Sequence, residues 1–139
     1  MASRRIALRG EPIVDEQNAA SEAILPGHLI QINAGKWRKH ANAAGAAGAF
    51  FALERDELGD GIDVAYAADD VVKAGFFAPG DRVNALIASG ETVAEGAELQ
   101  SDGAGRLTAG TTKPVARAAA AGAPSSANAA GYRLAVIIV

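Results

Sequence analysis

The sequence predicts an all-β protein: a small β-barrel or β-tulip-like sandwich carrying an extended N-terminal arm. Two observations lead there. Short runs of β-branched and apolar residues recur roughly every 8–12 residues, each bounded by Gly, Pro or Asp, which is the pattern of a sandwich or small barrel. Between them no amphipathic helix of ordinary length can be drawn.

Taken in order, Arg5-Ile6-Ala7-Leu8-Arg9 alternates polar and apolar residues, as an extended arm or edge strand would. Glu11-Pro12 then breaks any helix, because proline lacks an amide donor and restricts the residue before it. Residues 1–24 are therefore read as an arm that becomes ordered against something else, with a frayed terminus as the alternative, and residues 25–139 as the barrel domain. Pro26-Gly27 is a turn, His28 to Ile32 a strand, Asn33-Ala34-Gly35 the next turn, and Lys36 to His40 alternates around the only tryptophan. Together these predict a hairpin. Two glycines in the short run Ala41 to Gly48 disfavour a helix there and favour a loop. Further strands are expected at Ala49–Glu54, Ile62–Tyr66, Val71–Phe77, Arg82–Ala88, Ala97–Gln100 and Arg106–Thr108, with turns at Pro79-Gly80-Asp81, Ser89-Gly90 and Ser101–Gly105. The run Tyr132–Val139 is strongly β-prone. Exposed, it would invite aggregation, so it should be a buried, central strand.

The chain has 139 residues, enough for one domain with a real core, and no cysteine, so neither disulfides nor thiolate chemistry enter. Half of it is hydrophobic, but much of that is alanine, and aromatics make up only 5%. Small side chains bury little area each, which suits a domain that gains part of its burial from neighbouring copies. A net charge of −3 argues against a basic nucleic-acid coat. The N-terminus differs: Arg4, Arg5 and Arg9 all precede the first acid, Glu11. No signal-peptide core or run long enough to cross a bilayer is visible, so synthesis in the cytoplasm without membrane attachment is expected.

The acidic run Glu54, Asp56, Glu57, Asp60 and Asp63, with Gly59 and Gly61, is the most tempting site for a hard cation. Its spacing does not match a calcium loop and no closing glutamate follows, so a solvated acidic turn is the better reading. His28 and His40 could approach each other across the hairpin, yet no third ligand or nucleophile accompanies them locally. No serine lies in a nucleophile elbow, and no glycine run matches a phosphate-binding loop. Neither a catalytic residue, a metal nor a cofactor is expected. Lys36, Arg38 and Lys39 around Trp37 form the one basic patch outside the arm; it could meet a base or an acidic partner, or be a solvated strand whose tryptophan points inward.

The order of turns and strands carries a resemblance. Leu25-Pro26-Gly27-His28-Leu29-Ile30, Trp37-Arg38-Lys39-His40, Phe51-Ala52-Leu53-Glu54, Gly59-Asp60-Gly61-Ile62-Asp63, Ala65 to Asp70, Pro79 to Leu86 and Val93 to Leu99 together resemble the capsid decoration (cement) proteins of tailed phages. The match covers roughly residues 25–110 and consists of fold-forming turns. It implies a barrel that sits on the virion exterior as a homotrimer at three-fold or quasi-three-fold positions and clamps adjacent major capsid proteins. It also implies an arm, here Arg4, Arg5, Ile6, Leu8 and Arg9, that adds a strand to a neighbour. The alternative is a small ligand- or carbohydrate-binding module for host-surface adhesion, which would need an aromatic-lined pocket.

Overall fold

The computed structural model describes residues 5–123 and 131–139. Arg4 and Pro124-Ser125-Ser126 lie outside them. Among the described residues the fold is all-β, its only helical turn a three-residue 3-10 segment at Asp56–Leu58. Eleven short strands make it up: β1 (Ala7–Arg9), β2 (Ile13–Asp15), β3 (Ile30–Asn33), β4 (Lys36–Lys39), β5 (Phe50–Ala52), β6 (Ala74–Phe76), β7 (Arg82–Ile87), β8 (Glu98–Ser101), β9 (Leu107–Ala109), β10 (Ala116–Ala118) and β11 (Tyr132–Ile138).

Five of them close a barrel in the order β7–β11–β10–β8–β9, with β9 returning to β7 through a parallel contact at Ile87 and Leu107. Closure removes the edges that a sheet would otherwise expose. As expected, the C-terminal run is central: β11 pairs with β7 along six residues and with β10 on its other side. The second edge of β7 is divided. β1 takes Arg82 and Val83, β9 takes Ile87, and between them Gly27 accepts the Leu86 N–H at 3.2 Å. The Pro26-Gly27 turn thus fills the gap in the wall.

Two further sheets pack outside. β2–β6–β5 forms a three-stranded antiparallel sheet, and β3–β4 the expected hairpin. Its two-residue turn, Ala34-Gly35, has φ of 53° and 79°, the left-handed pair a tight hairpin requires. One apolar core fills the barrel, with Ile6, Leu29, Phe51, Phe77, Ile87, Leu99 and Leu107 among its members. A smaller one, built on Ile24, Ile30, Trp37, Tyr66 and Val72, lies between the hairpin and the three-stranded sheet. Tyr66 ties the two regions by donating to the Leu53 carbonyl at 2.6 Å, and burial pushes its phenol up to about 12.

Two elements depart from the expectation. Ile62–Tyr66 alternates in sequence but forms no strand, contributing only a bridge between Tyr66 and Ile24. Conversely, β10 arises in an alanine-rich tract with low strand propensity. It sits between β8 and β11, where Ala116 and Ala118 are buried and a small side chain fits, so tertiary packing overrides propensity.

Candidate functional site

The N-terminal segment is extended, and it is folded onto its own chain rather than projecting from it. Ile6 is fully buried in the barrel core. Its N–H donates to Oε2 of the buried Glu54 at 3.0 Å, and its carbonyl accepts the Asn84 N–H at 2.7 Å. The Arg5 guanidinium stands 4.0 Å from Oε1 of the same carboxylate while its side chain stays 73% exposed. This corrects the expectation for Ile6. An isoleucine placed between arginines reads as a contact residue, but here it is a core residue with nothing left to offer a partner. Leu8 and Arg9 remain on the outside.

Gly10, at φ +88°, turns the chain from the barrel to the outer sheet; any Cβ there would run into the Asp81 carboxylate. Beyond it, β2 lies at the end of the three-stranded sheet, with Ile13 71% and Val14 44% exposed. The segment therefore presents two strands, β1 and β2, each paired on one side only among the described residues.

Ile13, Phe76 and Phe50 stand in register across β2, β6 and β5 and so share a sheet face. The two phenylalanine rings are 4.7 Å apart, and Trp37 follows 5.4 Å beyond Phe50. The hairpin covers the Trp37 end of this row and leaves Phe76 and Ile13 open. Two concavities flank it, one of about 370 Å³ between Ile32, Trp37 and Phe50, the other of about 260 Å³ between Phe76, Pro114 and Val139. Ala47 and Gly48 form the ridge they share. Sequence reasoning missed this face because it weighed how few aromatics there are. Their placement in adjacent strands depends on a register that no local pattern encodes.

In the basic patch, Trp37 is buried, so the indole is unavailable for stacking on a base. Lys36 donates to Asp69 at 2.8 Å, and Lys39 stands 3.8 Å from Glu22, leaving the patch partly neutralised. Arg38 is half-buried opposite Gln31.

The acidic run is dispersed over separate tasks. Glu54 holds Ile6, Asp56 and Glu57 hold Lys73, and Asp60 stands 3.4 Å from Arg55, which also contacts Asp70 and lies over the Tyr66 ring at 4.4 Å. The bond from Lys73 holds the Asp56 carboxyl below its usual range. No group of three or more His, Asp or Glu side chains placed to hold a metal occurs among the described residues.

Each histidine has local partners. His40 is buried, with Nε2 3.0 Å from the Ala46 carbonyl and Nδ1 2.7 Å from the Ser101 hydroxyl. A carbonyl only accepts, so Nε2 carries a proton towards Ala46, and Nδ1 shares a hydrogen bond with the Ser101 hydroxyl. His28 Nδ1 accepts the Leu25 N–H at 2.9 Å. Burial first, then the cations Lys39, Arg133 and Arg106, lower the His28 imidazole to about 4.

No protein-family model matches the chain, and no curated protein matches it.

Proposed function

We propose that this protein is a structural, non-enzymatic virion component that binds the outside of a phage capsid and cements adjacent major capsid proteins, acting as a trimer. One observation carries the reading: the barrel gathers an apolar sheet face and two open strand edges on its N-terminal segment. Such features serve contact with other proteins rather than turnover of a substrate. Each contact is modest in area, and a symmetric shell multiplies modest contacts into avidity. The apolar row Ile13–Phe76–Phe50 is the surface assigned to the shell.

The test is cosedimentation of the full chain with assembled, expanded capsid shells, alongside the surface variants I13S and F76S. The wild type should pellet with the shells and both variants should be depleted from them. Electron cryomicroscopy should place density outside the shell at three-fold positions. Absence of the wild type from the shells would overturn the reading.

The aromatic row beside a 370 Å³ cleft also favours a second reading, a carbohydrate-binding module. Glycan-array signal without shell binding would select it.

A further inference from the structure

We infer that Asp60 is a site of spontaneous backbone modification, at which the side chain and the Gly61 nitrogen close to a succinimide that reopens as a β-aspartyl linkage. The inference is independent of the capsid reading.

The sequence holds two Asp-Gly steps, Asp60-Gly61 and Asp102-Gly103, and no Asn-Gly step. Glycine after aspartate is the permissive case for this chemistry. Without a Cβ the following nitrogen is unshielded, and the backbone reaches conformations closed to other residues. Local sequence therefore ranks the two steps alike. The fold separates them.

At Asp102 every group the reaction needs is engaged. Oδ1 accepts the Ala104 N–H at 2.8 Å and the Arg106 N–H at 3.0 Å, while Oδ2 accepts the Arg106 Nε–H at 3.0 Å. The Gly103 N–H donates to the Ser101 hydroxyl at 3.1 Å. The Asp102 side chain is only 9% exposed, and Gly103 packs against the Ala43 backbone. Ring closure there would have to break these hydrogen bonds together, and each broken bond leaves a polar group without its partner.

At Asp60 the reacting groups are far less committed. The carboxylate stands 3.4 Å from Arg55 Nε, and that nitrogen makes no hydrogen bond. The Gly61 N–H has no hydrogen-bond partner among the described residues. Both residues lie outside the strands and the 3-10 turn. Gly61 is exposed, and a Cβ on it would meet nothing within 4 Å, so the backbone has room to rearrange. The bonds that tether this loop use other atoms. Asp60 donates its own N–H to the Arg55 carbonyl, and the Gly61 carbonyl accepts the Val64 N–H.

The chemistry needs only water. The Gly61 nitrogen attacks Asp60 Cγ, and its proton leaves with the carboxyl hydroxyl as one water molecule. A second water then adds to either imide carbonyl. Attack at Cγ restores aspartate. Attack at the Asp60 main-chain carbonyl breaks its bond to the Gly61 nitrogen, so the chain continues through the side-chain carbon. That product has one extra methylene in the backbone and a free α-carboxylate. The adjoining 3-10 turn buries no side chain, so the longer backbone is taken up outside the core.

The experiment holds the full chain in heavy-oxygen water near neutral pH, folded in one series and in concentrated urea in another. Each passage through the imide leaves one heavy oxygen, whichever product forms. Proteolysis and electron-transfer fragmentation then read the label and the β-linkage at each Asp-Gly step. In the folded protein Asp60 should acquire both at least roughly tenfold faster than Asp102, and in urea the two rates should converge. G61V, whose branched side chain shields the nitrogen, should slow Asp60 by at least roughly tenfold while melting at the wild-type temperature. An unlabelled Asp60 in the folded protein, or equal labelling of the two steps there, would overturn the inference. A difference that persists in urea would overturn it too, by tracing the selectivity to sequence neighbours rather than to the fold.

Discussion

Acid should destabilise this fold in part through the side chain of His28. Its ring is packed behind the Pro26-Gly27 turn, and Nδ1 must stay unprotonated to accept the Leu25 N–H. Protonation would remove that acceptor and place a cation near Lys39, Arg133 and Arg106, with only Asp102 opposing. The folded protein therefore holds the imidazole at about 4 against 6.5 for a free one. The unfolded chain binds the proton more readily, so the contribution is complete above pH 6.5 and is lost as pH falls towards 4. At about 1.36 kcal/mol per pH unit, that window amounts to about 3 kcal/mol, and the partial exposure of the ring trims it to about 2–3 kcal/mol. Urea unfolding of wild type and H28N, measured between pH 7.5 and 4, isolates the effect. Asparagine keeps an acceptor without titrating, and the carboxylates contribute equally to both proteins. The stability difference between them should shift by about 2–3 kcal/mol against the wild type on acidification. Parallel pH profiles would refute the assignment.

Three other outcomes follow from the N-terminal segment and the apolar face. I6A should cost about 2–5 kcal/mol in urea unfolding, because it empties a fully buried position, whereas L8A should stay within about 1 kcal/mol. E54A should cost about 1–3 kcal/mol by leaving the Ile6 N–H without its acceptor, and hydrogen exchange at Ile6 should speed up; E54Q, which keeps an acceptor, should lose less. I13S, at a position 71% exposed, should leave thermal stability nearly unchanged while reducing shell binding, whereas F76S also gives up the ring contact with Phe50 at 4.7 Å and should cost about 1–2 kcal/mol.

How much of this was legible in the sequence depends on whether the cause was local. The hairpin at Ala34-Gly35, the loop at residues 41–48 and the β-prone C-terminus follow from turn chemistry and side-chain shape, and the chain folds there as its residues suggest. β10 and the Ile13–Phe76–Phe50 row follow from register and from which strands become neighbours, set by contacts across most of the chain. Ile6 belongs with these. Its alternation with Arg5 and Leu8 marks an extended strand correctly, but the partner that buries it is Glu54 and the barrel, 48 residues away at the nearest hydrogen bond. No neighbour in sequence announces that.

That burial alters how the arm can act. A free arm could be deleted to test attachment without touching the fold. Here removal of residues 1–12 would take Ile6 from the core, unpair Glu54 and strip one edge from β7, so lost attachment and lost folding could not be told apart. The segment also joins the two sheets, since β1 belongs to the barrel and β2 to the outer layer on either side of Gly10. Anchoring it in this way holds both strand edges in place before any partner arrives, which reduces the ordering entropy that a flexible arm would lose on binding. Under the proposed function, the outward half of an already folded segment is what remains for a partner, Leu8 and Arg9 on β1 and Ile13 on β2. Substitutions there, rather than truncation, are what separate partner binding from stability.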